Sequence, residues 1–108
     1  MIALISDNLE EIRELCRKHR IARLDLFGSA AKGTFDPVTS DLDFLVDLGA
    51  YDSTALDRYL ALADDLEALF ARPVDLMTVE SLKNPYLIDS LNRSKATLYD
   101  SRDREAAA

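Results

Sequence analysis

Apolar and polar positions along this chain recur in two periods, and the switches between them mark its elements. Over residues 7–20, Leu9, Ile12, Leu15 and Cys16 fall at helical spacing, with Ser6 or Asp7 as the candidate N-cap. Residues 21–27 change to a period of two. Ala22, Leu24 and Leu26 face one way and Arg23, Asp25 and Phe27 the other, which predicts a strand. Gly28-Ser29-Ala30-Ala31-Lys32-Gly33 reads as a short helical turn closed by glycine, with a loop from Thr34 to Ser40 after it. A second strand runs from Leu42 to Leu48. Its apolar face is Leu42, Phe44, Val46 and Leu48, and Asp41, Asp43, Leu45 and Asp47 point the other way.

The longest helix is expected over residues 54–71, where Leu56, Tyr59, Leu60, Ala63, Leu66, Leu69 and Phe70 form a broad apolar stripe that ends before Pro73. Val74 to Val79 predicts a third strand. A shorter helix around residues 86–92 follows Asn84-Pro85, and Ala96–Tyr99 predicts a short closing strand. Leu87, Ile88, Leu91 and Leu98 serve the core or a partner face, with the core favoured. This order of elements predicts an α+β (α/β-like) fold, a small sheet flanked by helices, and leaves open which strands run parallel. No repeat, low-complexity block or linker divides the chain, so residues 1–100 are expected to form one domain. Residues 101–108 carry no periodicity and are expected to be a C-terminal tail.

Composition narrows the function. Among 108 residues, thirteen Lys and Arg stand against twenty Asp and Glu, a formal charge of −7. That balance argues against direct binding of nucleic acid or an anionic membrane, which needs clustered basic charge. The lone cysteine, Cys16, cannot form an internal disulfide and is read as a small core residue. The lone histidine, His19, cannot supply a zinc cluster. It is read as a solvated residue in a cationic last helical turn. No stretch has the length of a membrane span and the N-terminus lacks the pattern of a secretion signal, so a cytoplasmic protein is expected. Carboxylates are the plentiful reagent.

Three features converge on chemistry. Gly28-Ser29 ends a strand and opens a helical turn, a place where backbone N–H groups and a hydroxyl suit a phosphate. Asp41 and Asp43 lie on one face of the second strand. Two carboxylates about 4 Å apart repel by roughly 4 kcal/mol at a near-surface dielectric, and a divalent cation between them reverses the sign. Oxygen-only ligands suit magnesium or manganese. The competing reading is two solvated acids at a strand end. Asp75 sits inside an apolar strand and joins the same cluster if that strand lies beside the second. Otherwise it is an edge-strand acid facing water. Asp47 lies some 13 Å beyond Asp43 at about 3.3 Å per residue and is left out. Lys32 has the position to reach a phosphate, although a lysine there is most often merely solvated.

Read together, Phe27-Gly28-Ser29-Ala30-Ala31-Lys32-Gly33, Ser40-Asp41-Leu42-Asp43-Phe44-Leu45-Val46 and Val74-Asp75-Leu76 resemble the minimal nucleotidyltransferase domain of the DNA polymerase β-like superfamily. The resemblance spans roughly residues 8–99. Eleven residues separate Ser29 from Asp41 where small members of that family commonly have ten, and the Phe35–Thr39 loop can absorb the difference.

The resemblance implies a mixed sheet of the nucleotidyltransferase type. It implies two magnesium ions (or manganese) held by Asp41, Asp43 and Asp75, with ATP as substrate and its terminal phosphates on Gly28 and Ser29. Asp75 would also help deprotonate or orient the attacking hydroxyl. A chain of this size has no room for an acceptor-selecting domain, so the resemblance points to the antitoxin members that work beside a HEPN-domain RNase toxin. The implied activity is transfer of AMP to a tyrosine hydroxyl of that toxin, which neutralises it. Two alternatives remain at this point: an antitoxin that blocks its partner by contact alone, and a transferase acting on a small-molecule hydroxyl.

Overall fold

The computed structural model describes residues 2–28, 31, 42–50, 52–81, 84–86, 88–89 and 95–102. Helices α1 (Ala3–Ser6) and α2 (Leu9–Lys18) come first, then strands β1 (Arg23–Phe27) and β2 (Leu42–Asp47). Helix α3 (Ala55–Phe70), strand β3 (Val74–Thr78), a 3-10 turn (Val79–Ser81) and strand β4 (Ala96–Asp100) follow. The sheet order is β3-β2-β1-β4. β1 runs antiparallel to both β2 and β4, whereas β2 and β3 are parallel. The fold is α+β, a mixed four-stranded sheet flanked by helices, as the resemblance implies.

Strand alternation decides which side chains face the helices. Leu24 and Leu26 of β1, Leu42, Phe44 and Val46 of β2, Leu76 of β3 and Leu98 of β4 pack with Ile12, Cys16, Leu62, Leu66 and Phe70 in the main core. Phe44 stacks on Phe70 with ring centroids 6.2 Å apart. Phe27 and Leu45 are buried on the opposite face, against Met77 and Val79. β1 therefore has both faces covered, which a strict in/out alternation does not predict.

Several expectations need correction. The candidate caps Ser6 and Asp7 do not start α2. Ile5 is fully buried on the separate turn α1, and Asn8 precedes α2 with its side chain donating to Leu4 O at 2.8 Å. His19 is not solvated. Its side chain is 11% exposed and its Nε2 lies 2.7 Å from Asp65 Oδ2 of α3, a tertiary contact that helical periodicity does not register. Leu56 and Leu60, placed in the α3 stripe, are 66% and 50% exposed, because they sit on the margin of an arc whose centre is Ala55, Leu62 and Leu66. Cys16 is buried as expected, and burial pushes its thiol up to about 12. α3 ends at Ala71, whose φ of +53° is left-handed, two residues before Pro73.

Arg58, which the helical pattern does not single out, is buried and joins three segments. Nη1 donates to Leu48 O at 2.9 Å and to Arg20 O at 3.2 Å, and Nη2 to Ala50 O at 2.6 Å. One always-charged fork thus satisfies carbonyls that close the turns after α2 and β2. Of the short helix expected at 86–92, only Tyr86, Ile88 and Asp89 are described. Asn84 caps that region by accepting from Tyr86 N–H at 2.9 Å. Leu87 and Leu91 lie outside the described residues, and Leu98 is core. Among the described residues, no helix is long and apolar enough to cross a membrane.

Candidate functional site

The site grows from the join between β1 and β2. Register places Phe27 opposite Asp43, and Asp43 beside Asp75 on the parallel neighbour β3. In-register residues of neighbouring strands share a face, and the strands lie about 4.8 Å apart. Asp43 and Asp75 therefore stand side by side on the sheet face away from the helices. Asp43 is half-buried and Asp75 exposed. Asp75 is thus an edge-strand acid facing water and also the in-register neighbour of Asp43.

Gly28 completes the geometry. The chain leaves β1 with φ of +73° at Gly28, a left-handed conformation that favours glycine. A Cβ built there would lie 2.5 Å from Asp43 Oδ2. The carboxylate rests against the bare backbone, and only a residue without a side chain permits that approach.

These residues fit a hard divalent cation. The donors are carboxylate oxygens alone, set in adjacent register beside the bare backbone of Gly28. Magnesium typically takes one or two protein carboxylates and completes its shell with water and phosphate oxygens. Among the described residues, no group of three or more His, Cys, Asp or Glu is placed to hold a metal. Asp41, two residues before Asp43, lies outside the described residues, as do Ser29 and Lys32. Of the five predicted site residues, Gly28, Asp43 and Asp75 are described and brought together. Asp47 lies at the far end of β2 opposite Arg23, where it accepts from Gly49 N–H at 2.9 Å, away from the pair.

Sequence reasoning passed over one charged group on the same sheet face. Asp25 is 3% exposed and pairs with Arg23 Nε at 3.0 Å, with Lys95 Nζ at 4.0 Å from its second oxygen. Arg23 also donates to Thr97 Oγ1 at 3.0 Å. A cavity of about 240 Å³ lies over this network, bounded by Leu45 and Val79. The available signal was the apolar pair Phe27 and Leu45 on the nominally polar face, which meant that Asp25 between them would be covered.

Comparison with known proteins agrees with this geometry. Residues 9–97 match the family model described as Nucleotidyltransferase domain. A Methanocaldococcus jannaschii protein named "Putative protein adenylyltransferase MJ1379" is 34% identical over 91 residues, covering 77% of this chain and 90% of its own length. A second protein of that organism with the same kind of name, MJ0126, is equally similar. Among solved structures, a "putative minimal nucleotidyltransferase" superposes with a TM-score of 0.72 at 29% identity, over 85% of this chain and 90% of that one. A toxin–antitoxin crystallised with AMP-PNP gives 0.67 at 26% identity, over 92% and 79%. The chain belongs to the nucleotidyltransferase domain family.

Proposed function

We propose that this chain is an antitoxin of the adenylyltransferase kind, which moves AMP from ATP to a tyrosine hydroxyl of a partner HEPN-domain RNase and thereby silences it. The observation that carries the reading is the register of Asp43 with Asp75 against the bare backbone of Gly28. Similarity to proteins named as adenylyltransferases and to a toxin–antitoxin crystallised with AMP-PNP supports the choice of nucleotide and of partner class. We read residues 1–100 as the catalytic unit, residues 101–108 as a tail, and the cytoplasm as its compartment.

In the proposed reaction, the acceptor hydroxyl oxygen forms a bond to the α-phosphorus of ATP. The bond from that phosphorus to the α,β-bridging oxygen breaks, and pyrophosphate leaves. Asp41, Asp43 and Asp75 would hold divalent magnesium or manganese, which when bound neutralises charge building on the phosphates and on the attacking and leaving oxygens. Asp75, exposed at the sheet edge, is open to an acceptor from another molecule and would orient or deprotonate its hydroxyl. Ser29 and the backbone N–H groups after Gly28 would cradle the terminal phosphates. The glycine lets Asp43 and the phosphate-binding turn meet without a side chain between them.

The test is intact-mass measurement of a HEPN-domain RNase after incubation with this chain, ATP and magnesium. Addition of whole AMP units is expected, and their absence after Asp41→Asn with Asp43→Asn. Neutralisation without ATP, surviving that double substitution, would instead mark an antitoxin that acts by contact alone.

A further inference from the structure

One side of α3 remains without a partner within the described fold. Leu56 and Leu60, one helical turn apart on that side, are exposed. Leu56 leads into a groove of about 1120 Å³ at the edge of the sheet, lined also by Leu48, Tyr59, Leu76 and Met77. We infer that this groove receives a basic amphipathic helix of the partner protein. The inference deepens the adenylyltransferase reading and rests on it for the partner's identity.

The edge strand itself disfavours an added strand. Among the described residues β3 has a neighbour only on the β2 side, so its outer backbone groups could template another strand. Side chains already occupy three of them. Val74 N–H donates to Glu67 at 3.1 Å, Leu76 O accepts from the Tyr59 hydroxyl at 2.6 Å, and Thr78 O accepts from Ser81 Oγ at 2.8 Å. That breaks the ladder an added strand needs and favours a visitor recognised through side chains, as a helix laid in a groove is.

Charge sets the character of that helix. Between residues 55 and 70, α3 carries Asp57, Asp64, Asp65 and Glu67 against a single cation, Arg58, which is turned inward onto backbone carbonyls. Asp57 and Asp64 are exposed and flank Leu56 and Leu60 on the solvent side, and Asp52 lines the groove. A second copy of this chain would bring the same acids to face them, with −7 on each molecule. A basic helix with apolar residues at i, i+3 and i+4 meets both the leucines and their rim. Met77 lies two residues beyond Asp75 on β3, about 7 Å along the strand, so a seated helix is anchored beside the carboxylate pair.

The test measures binding of a HEPN-domain RNase to the full chain by calorimetry, with ATP binding followed in parallel. Leu56→Glu with Leu60→Glu is expected to weaken partner binding at least about tenfold while ATP binding is unchanged. Asp57→Lys with Asp64→Lys, at exposed positions, is expected to weaken binding and flatten its salt dependence. Wild-type partner affinity in both variants overturns the inference. So does a chain that is dimeric alone and becomes monomeric with the leucine substitutions. A partner that binds through this patch but gains no AMP leaves the docking surface standing and removes the adenylyltransferase reading. AMP transfer at the wild-type rate by the leucine variant does the reverse. A wild-type chain that binds no such RNase overturns both.

Discussion

Gly28 and Asp43 share one space: a Cβ on the glycine would stand 2.5 Å from the carboxylate oxygen Oδ2. The glycine also holds φ of +73°. Gly28→Ala is therefore expected to cost about 2 kcal/mol from the left-handed backbone and to push the Asp43 carboxylate aside. Chemical denaturation should show the loss of stability. Nucleotidyl transfer should fall further than stability does, because the carboxylate is moved even in the molecules that remain folded.

Asp75→Asn tests the second half of the pair. Asp75 is exposed on an edge strand, so the substitution is expected to leave the melting temperature within a few degrees of wild type. Transfer is expected to drop by roughly 10²-fold or more, since several kcal/mol of charge stabilisation depends on the cation the carboxylates would hold. Chelation with EDTA should abolish transfer in the wild type, and added magnesium or manganese should restore it.

Arg58→Met removes a buried fork that serves the carbonyls of Arg20, Leu48 and Ala50. Those acceptors would be left without the donor, and a loss of about 3 kcal/mol in denaturant unfolding is expected. An unchanged midpoint would mean that water replaces the guanidinium without cost.

Acid stability separates two carboxylates. The hydrogen bond from His19, aided by Lys18, holds Asp65 below its ordinary 3.8. The Arg102 guanidinium holds Asp100 at about 2. A depressed carboxyl contributes stability that is fully present above its unfolded value and is lost as pH falls through the folded one. The difference between wild type and Asp65→Asn should therefore be constant above pH 4 or so and shrink below it. The difference for Asp100→Asn should begin to shrink in the same range and be spent only at about pH 2. Urea titrations between pH 2 and 7 resolve the two.

Much of the fold was legible because β1, β2, β3 and α3 each carry an unbroken period in their own residues. Pairing was not, since parallel and antiparallel neighbours leave the same alternation in Leu42, Phe44 and Val46. Turn α1 escaped because one buried residue, Ile5, is too little to establish a period. His19, Asp25 and Arg58 were misjudged or passed over for a common reason. Each is buried by a partner distant in sequence: Asp65, Lys95 and the turns carrying Arg20 and Leu48. In the candidate site, residue chemistry and the family resemblance singled out Gly28, Ser29, Asp41, Asp43 and Asp75, of which Gly28, Asp43 and Asp75 lie among the described residues. The approach of Gly28 to Asp43, and the exposure of Asp75 at a sheet edge, needed three dimensions.

The central claim is that AMP, and not phosphate, passes from ATP to another protein at the Asp43–Asp75 pair. Its most direct measurement incubates the chain with magnesium, a HEPN-domain RNase and ATP labelled at either the α- or the γ-phosphate. The account predicts label on the RNase from α-labelled ATP only, and none from either when Asp43→Asn replaces the wild type. Label transferred from the γ-position, or α-label undiminished in Asp43→Asn, would contradict it.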